Sequence, residues 1–479
     1  MPIVLGGGLS GLSAGYYLLK KFGQPTAIFE ASNRVGGWIK TEKHKDHGFI
    51  FEAGPRTIRP KGVSGANTLE MIEDLKLPIE AVTSSHVAAK NRMIYAKGQL
   101  CMLPNSLKGA MQTVPPFSKP LAMALINDIK SKPKKIKFGD ESIYDFVHRR
   151  FGPELADYAI SPMICGICAG DAKEISVRFL MDDIFENEQK YGGVIKGLLM
   201  SKLNGKKANR QSDSKAAQLL SEKQPQKFKE AVENKWSMYR VNNGLETLPH
   251  SLANHLLAND VEINLTSECR EILFTENSVR LNIKGQDVET KHVISSIPAF
   301  KLAPCVKNQH PGLAGQLLAI PYVNVAVVNL QYNTKDLLKQ PAFGFLVPPL
   351  EQRPILGVIF DSCVFDMENN TVLTVMMGGK WFEQYFGKDP TQKELLDIAL
   401  REITKILGIE QEPKMSRVHI LKKCIPQYNV GHKQRVQDIR RYIQRYKLPL
   451  SLCGAAYDGV GINDVILSAR MSVEELPQF

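Results

Sequence analysis

The chain is 479 residues long, with 43% hydrophobic, 23% charged and 8% aromatic residues. That length allows two or three domains with a large buried core, and that composition excludes a disordered or collagen-like chain. The net charge of +12 suits an anionic membrane surface or substrate, but the basic residues are spread along the chain without zinc-finger spacing or interleaved aromatics, so nucleic acid is not an expected partner.

The chain opens as strand, glycine turn, helix, strand. Ile3-Val4-Leu5 is a short apolar run, and Leu9 to Lys21 has helical spacing in Leu12, Tyr16 and Leu19. Thr26-Ala27-Ile28-Phe29 is a second buried strand, and this βαβ order predicts a parallel, doubly wound sheet. Entry directly into a strand leaves no expected leader, and no run reaches the roughly 18 apolar residues of a membrane span. From Leu100 to Leu199 the pattern becomes helices broken by prolines, among them Pro104, Pro115, Pro116, Pro120 and Pro133. Lys202 to Lys235, rich in Lys, Gln, Ser and Glu, reads as an exposed helix-and-loop insertion. Strands are predicted at Val261 to Leu265, Val323 to Gln331, Leu356 to Asp361, Val372 to Met377 and Leu450 to Cys453, and a helix over Lys393 to Leu407. A terminal helix follows Gly461.

Eight cysteines in so long a chain are not a disulfide framework. The one CxxC, Cys165-Gly-Ile-Cys168, lacks the second pair or histidines that zinc needs, so no metal is expected. It reads as small residues packed beside a pocket, with a redox dithiol as the alternative.

Gly6-Gly7-Gly8-Leu9-Ser10-Gly11 fits G-x-G-x-x-G between a strand and a helix. Gly6 makes the tight turn, Gly8 lets backbone approach a pyrophosphate, and Gly11 lets the helix pack on the strand. The helix N-terminus offers free N–H groups to the phosphates. Glu30, at the end of the second strand, is placed to accept hydrogen bonds from an adenosine ribose.

Glu30-Ala-Ser-Asn-Arg34-Val-Gly36-Gly37-Trp38-Ile-Lys-Thr41 resembles an extension common to the flavin amine oxidase-like superfamily, which makes FAD the expected cofactor. Gly36 and Gly37 permit close approach to it, and Arg34 offsets pyrophosphate charge. His292-Val-Ile-Ser-Ser296-Ile-Pro298 is similar to the strand by which these flavoproteins return to their FAD domain. Gly454-Ala455-Ala-Tyr457-Asp-Gly-Val460-Gly461-Ile462-Asn-Asp464 is similar to their C-terminal flavin segment, though Ala455 stands where many relatives carry Asp. The same resemblance places Trp38, Gly54, Arg56 and Cys269 at the cofactor, Arg56 there rather than at the substrate.

Phe51-Glu-Ala-Gly54-Pro-Arg56-Thr-Ile-Arg59-Pro60, Asn91-Arg92-Met-Ile-Tyr95, Pro115-Pro-Phe-Ser-Lys-Pro120 and Val328-Asn-Leu-Gln-Tyr332 narrow the resemblance to protoporphyrinogen oxidases of the animal type, over nearly the whole chain. The implied reaction removes six electrons from protoporphyrinogen IX in three steps, each passing a hydride to flavin N5, with molecular oxygen as acceptor and hydrogen peroxide as by-product. Arg92 would pair with a substrate propionate, and Ala169, Phe343, Leu346 and Met376 would line an apolar slot. No Ser-His-Asp set or paired carboxylates stand out, His44 and His47 read as residues of a polar loop, and no catalytic base is assigned.

The implied architecture mixes α/β and α+β. A Rossmann-like FAD-binding domain takes residues 1–81, 236–300 and 449–479. A sheet-based substrate domain takes 82–99, 200–235 and 301–448, with 202–235 as its exposed insertion. A helical membrane-binding region takes 100–199, where Leu121 to Ile126 lies beside Lys119 and Lys130 to Lys137. The resemblance further implies monotopic attachment at the mitochondrial inner membrane on its intermembrane-space side, a homodimer, and product hand-over to ferrochelatase. The alternatives are another FAD oxidase such as an amine oxidase, and a non-enzymatic binder like the Rab GDP-dissociation inhibitors. Tyr457 without an aromatic partner argues against the first, and Glu30 with the glycine segments against the second.

Overall fold

The computed structural model describes residues 1–44, 48–136, 139–203, 224–335 and 337–477. Five short strands form an all-parallel sheet in the order Leu450–Leu452, Val293–Ser295, Ile3–Leu5, Ala27–Phe29, Glu262–Asn264. Successive side chains of a strand point to opposite faces, and both faces here are covered. Val4, Ile28 and Ile294 enter one core with the helices Leu9–Phe22, Thr247–Leu257 and Ile462–Glu474. Ile3, Leu5, Val293, Leu450 and Leu452 enter a second core with the helices Ala299–Val306, Pro311–Leu318 and His432–Arg445. The first helix ends at Gly23, whose φ of 64° is the left-handed cap that glycine adopts without strain.

A second, seven-stranded sheet runs in the order Met415–Pro426, Tyr322–Tyr332, Thr371–Gly379, Ile355–Phe360, Gly344–Leu346, Met93–Ala96, Gln99–Met102. Its neighbours are antiparallel except for the join between Gly344–Leu346 and Met93–Ala96. Ala326, Val328 and Leu330 face the amphipathic helix Gln392–Leu407, which contributes Leu395, Ala399 and Ile403. That helix starts with a reciprocal cap between Thr391 and Glu394. Val323, Val325 and Val327 face the other way, toward Cys165 and Ala169 of the helical region.

The region between the sheets' segments is helical, from Leu107 to Leu203. Its core gathers Ile143, Phe146, Val147, Ile164 and Phe185. A buried Arg150–Asp128 pair at 2.6 Å closes it, and Arg149 joins Glu141 and Glu188 beside it. No helix of the described residues is long and apolar enough to cross a membrane.

The predicted strands and helices stand within about two residues of their observed ends. Three expectations are corrected. Residues 226–233 of the insertion form a helix whose Ala231 and Phe228 pack with Leu69 and Tyr239 in the first core. This end of the insertion therefore belongs with the parallel-sheet half, because its apolar stripe meets the helix Gly62–Asp74. The strand Ile79–Thr83 crosses the expected boundary at 81–82, because it pairs with Trp236–Val241. His44 ends the strand Thr41–His44 and stacks on Phe49 at 4.7 Å, so it is not in a polar loop. His47, and residues 204–223 of the insertion, lie outside the described residues.

Candidate functional site

Four segments far apart in sequence meet where the helix Leu9–Phe22 begins. A Cβ on Gly11 would stand 1.8 Å from the Gly6 carbonyl oxygen, and one on Gly6 would stand 2.5 Å from Ser296 Oγ. Ser296 is held there by donating to the Leu5 carbonyl at 2.9 Å. Gly36 N donates to the Gly7 carbonyl at 2.9 Å, and a Cβ on Gly37 would lie 3.2 Å from the Gly8 Cα. Gly454, at φ 104°, closes the group, since a Cβ there would meet Ser10 Oγ at 3.2 Å. Gly8 is the helix cap and provides no side-chain partner for the first N–H groups. The result is an uncapped helix N-terminus ringed by bare backbone, a surface suited to a pyrophosphate.

Glu30 Oε2 accepts from Gly7 N at 2.6 Å, and Oε1 accepts from Ser32 N at 2.7 Å. The carboxylate thus stands at the rim of the turn, where a ribose hydroxyl would reach it. The Arg34 guanidinium donates to the carbonyls of Val35, Gly37 and Ile39 and pairs with Glu246 at 3.3 Å. It braces the Gly36-Gly37 turn, which presents several inward carbonyls to one planar donor. Trp38 is exposed, while its carbonyl lies against Gly54, where a Cβ would stand 2.8 Å away.

Arg56 is buried and pairs with Asp361 at 2.7 Å, in a small cavity also lined by Glu52, Arg240 and Phe343. Asp361 accepts from Thr374 Oγ1 at 2.7 Å, and Asn329 Nδ2 donates to Thr374 Oγ1 at 2.8 Å and to the Glu52 carbonyl at 3.2 Å. Glu52 itself accepts from Thr41 Oγ1 and Leu245 N, both at 2.8 Å. Burial pushes its carboxyl up to about 7 against these bonds and the Arg56 charge. One buried polar chain thus joins the Arg34 turn, through Glu246, Thr41 and Glu52, to the seven-stranded sheet.

In the C-terminal segment, Tyr457 is buried in the second core, Val460 packs on the helical core, and Ile462 packs on the first core. Ala455 is fixed by a residue that sequence reasoning missed. Tyr428 Oη donates to the Ala455 carbonyl and accepts from Gly459 N, both at 2.7 Å. Its ring stacks on His432 at 3.8 Å, and its own carbonyl accepts from Ser176 N at 2.8 Å. Burial raises the Tyr428 hydroxyl well above its ordinary value and lowers the His432 imidazole to about 4, so both stay neutral. No motif surrounds Tyr428; its role arises from a contact across 27 residues. Cys269 starts the strand Cys269–Phe274, two residues beyond Ser267, whose N–H donates to the Glu30 carbonyl at 2.7 Å.

The residues expected at the substrate form two neighbouring groups on the second sheet. Leu346 and Met376 both stand opposite Gly357 in register, so they share a face across three strands. The helix Ser161–Cys168 lies over them: a Cβ on Gly166 would meet Leu346 at 2.8 Å, and Ala169 packs with Met376. The Arg92 guanidinium sits 4.8 Å from the centre of the Phe343 ring. Burial first, then the Arg59 charge, lowers its affinity for a proton, and no carboxylate among the described residues compensates it. A half-buried cation lying over an aromatic ring beside an apolar face is suited to a large apolar ligand carrying a carboxylate.

Among the described residues no group of three or more His, Cys, Asp or Glu could hold a metal. Cys165 and Cys168 are buried, and their thiols turn to the carbonyls of Gly170 and Ile164.

The chain matches the family of flavin containing amine oxidoreductases over residues 9–477. It is 37% identical over 480 residues to the protoporphyrinogen oxidase of Homo sapiens, covering 98% of this chain and 97% of that one. It is 30% identical to the protoporphyrinogen oxidase of Schizosaccharomyces pombe, covering 99% and 98%. A solved chain from Exiguobacterium sp. 255-15 has the same fold, with a TM-score of 0.77 at 22% identity over 98% of this chain and 97% of that one.

Proposed function

The chain belongs to the flavin containing amine oxidoreductases, and within them to the protoporphyrinogen oxidases, and from that premise we propose that it oxidises protoporphyrinogen IX to protoporphyrin IX for haem synthesis. The observation that carries the reading is the 37% identity to the human protoporphyrinogen oxidase across 98% of the chain. It is an FAD-dependent oxidase. Six electrons leave the substrate in three steps, with oxygen as acceptor and hydrogen peroxide as by-product.

FAD, when bound, supplies the two-electron acceptor chemistry. The chain's residues hold and shield it. The uncapped helix N-terminus with Gly6, Gly8, Gly11, Gly36 and Gly37 takes the pyrophosphate, Glu30 the ribose, and Ser296 with residues 454–462 the flavin side. Arg92 orients the substrate through one propionate, and Leu346, Met376, Ala169 and Phe343 exclude water from the slot. Protons leaving the pyrrole nitrogens are assigned to no side chain.

The parallel-sheet half is read as a Rossmann-like FAD-binding domain and the seven-stranded half as the substrate domain. The helical region is read as the membrane contact. In its support, Leu107, Met111, Leu125 and Ile129 are exposed beside Lys108, Lys119, Lys130 and Lys132. Attachment to the mitochondrial inner membrane from the intermembrane space, a homodimer and hand-over to ferrochelatase are part of the same proposal and rest on the family resemblance alone.

The test mixes detergent-solubilised protein with protoporphyrinogen IX in air and follows porphyrin fluorescence and peroxide together, against a control for spontaneous oxidation. About three peroxides per porphyrin are expected. Bound FAD without porphyrin formation would overturn the substrate assignment while leaving the oxidase intact, and amines would then be tried.

A further inference from the structure

The helix that lies over Leu346 and Met376 is fastened at its far end by one side chain. Ser161–Cys168 stops at Ala169, whose φ of 52° is left-handed backbone that alanine adopts only where its surroundings hold it. The last carbonyls of a helix have no partner inside it, and a buried end needs donors from elsewhere. Here the Cys168 carbonyl accepts from Gln427 Nε2 at 2.9 Å, and the Ala169 carbonyl accepts from Lys380 N at 2.9 Å. Gln427 is itself buried. Its N–H donates to the Pro321 carbonyl at 2.8 Å, and its Nε2 also reaches the Ile425 carbonyl at 3.3 Å. The fit is close on both sides. A Cβ on Gly170 would stand 2.3 Å from Gln427 Oε1, and one on Gly379 would stand 2.2 Å from the Ala169 carbonyl oxygen.

The next residue holds a different partner. Tyr428 bridges the Ala455 carbonyl and the Gly459 N–H, so two successive side chains tie the helix end and the segment 454–461 to one short stretch of main chain. That stretch is anchored in turn: Ser176 N donates to the Tyr428 carbonyl at 2.8 Å, and Val430 N to the Glu174 carbonyl at 2.9 Å. Lys380 Nζ also pairs with Glu174 at 2.6 Å, but that pair is exposed and contributes little. The Gln427 amide is the buried side-chain tie that reaches the helix itself.

We propose that Gln427 is a positioning residue for the oxidation: by fixing the end of the helix Ser161–Cys168 to the stretch that carries Tyr428, it sets how the cover of the substrate slot stands relative to the flavin side. The inference rests on the reading of residues 454–462 as the flavin side and of Ala169, Leu346 and Met376 as the slot. Reacting atoms misplaced by about 1 Å react on the order of 100-fold more slowly. A loosened cover therefore slows electron transfer from the substrate without releasing FAD, whose glycine turn and Glu30 are untouched.

The test compares the full-length, FAD-loaded protein with Gln427→Met, which keeps the volume and removes the amide. Each is mixed with protoporphyrinogen IX without air while flavin absorbance is followed, and oxygen is then admitted. Flavin reduction at saturating substrate should slow about 10- to 100-fold, with FAD content and reoxidation unchanged. Backbone hydrogen exchange gives a readout independent of turnover. Peptides covering Ser161 to Gly170 should exchange faster in the variant, and those covering Gly6 to Gly11 should not. A wild type that the tetrapyrrole does not reduce overturns the substrate reading and this inference with it. A reduced wild type beside a variant reduced equally fast, or with unchanged exchange in the helix, overturns this inference alone. If Gln427→Met does not fold with FAD, Gln427→Asn decides by the same measurements: its amide is one methylene short of the Cys168 carbonyl, and a several-fold slowing is expected.

Discussion

The two sheets hold their sites by opposite means. Around the parallel sheet, position is enforced by the absence of side chains: Gly6, Gly11, Gly37 and Gly454 each leave a gap that one Cβ would fill. Around the seven-stranded sheet, position is enforced by side chains that satisfy one another in the interior, from Arg56 through Asp361 and Thr374 to Asn329. A site made of backbone tolerates no addition. A site made of a polar chain tolerates no removal. Each half can therefore be broken by the change that the other half survives.

The largest loss is expected from Asp361→Ala, which leaves the buried Arg56 cation unpaired at a cost of about 3–5 kcal/mol. The thermal midpoint should drop by several degrees while the remaining folded protein keeps its FAD absorbance. Flavin loss at unchanged stability would instead make Arg56 a cofactor residue. Gly11→Ala should cost about 3 kcal/mol through its contact with the Gly6 carbonyl, and here flavin content per folded protein should fall with it. Absorbance near the flavin maximum checks this, and an FAD-replete variant would contradict the geometry of the turn.

Glu52 sharpens the contrast, because it belongs to the join between the halves. Its folded-state carboxyl is raised by burial to about 7 from 4.5. The folded state therefore holds the proton more tightly, and this group's contribution is full below pH 4.5 and lost as pH rises through 7. Glu52→Gln removes that dependence while keeping an acceptor for Leu245 N. The variant should gain on the wild type by up to about 3 kcal/mol between pH 5 and pH 8, read as a difference in thermal midpoints. Parallel pH profiles would refute the buried acid. Arg92→Ala comes next. A lost charge-assisted contact of about 1.5–3 kcal/mol should raise KM for the tetrapyrrole roughly 10- to 100-fold, with flavin content unchanged.

The same contrast governs what could be read from the sequence. Gly6, Gly8, Gly11 and the Gly36-Gly37 pair were legible because backbone proximity demands one residue type at fixed spacing. The sheets were legible because buried strands carry apolar periodicity, as at Tyr322–Tyr332. The pairing of Arg56 was not legible because its partner, Asp361, lies 305 residues away, and no local pattern announces that a cation will be neutralised from the other half. The carbonyl bonds of Arg34 were hidden for a related reason: its acceptors are groups that every residue carries. The helix Gln226–Glu233 was assigned to the wrong half because a short amphipathic stripe does not say which core it will cover.

Tyr428 is the smallest expected effect and the most informative one, since it borrows the second sheet's method for the first sheet's site. It follows the strand Met415–Pro426, yet its hydroxyl bridges the Ala455 carbonyl and the Gly459 N–H of the segment read as the flavin side. Tyr428→Phe keeps the stack on His432 and the edge contact with Phe179, and removes only the bridge. Losing it leaves a buried carbonyl and a buried N–H without this partner, a cost of about 1 kcal/mol or somewhat more. If the bridge sets the segment's conformation, FAD should dissociate several-fold more readily while the thermal midpoint of the FAD-free protein moves little. If the midpoint falls and FAD affinity holds, Tyr428 is only a fastener between the sheets. In that case the loss of an aspartate at Ala455 is compensated by backbone alone, as the glycines of this half already suggest.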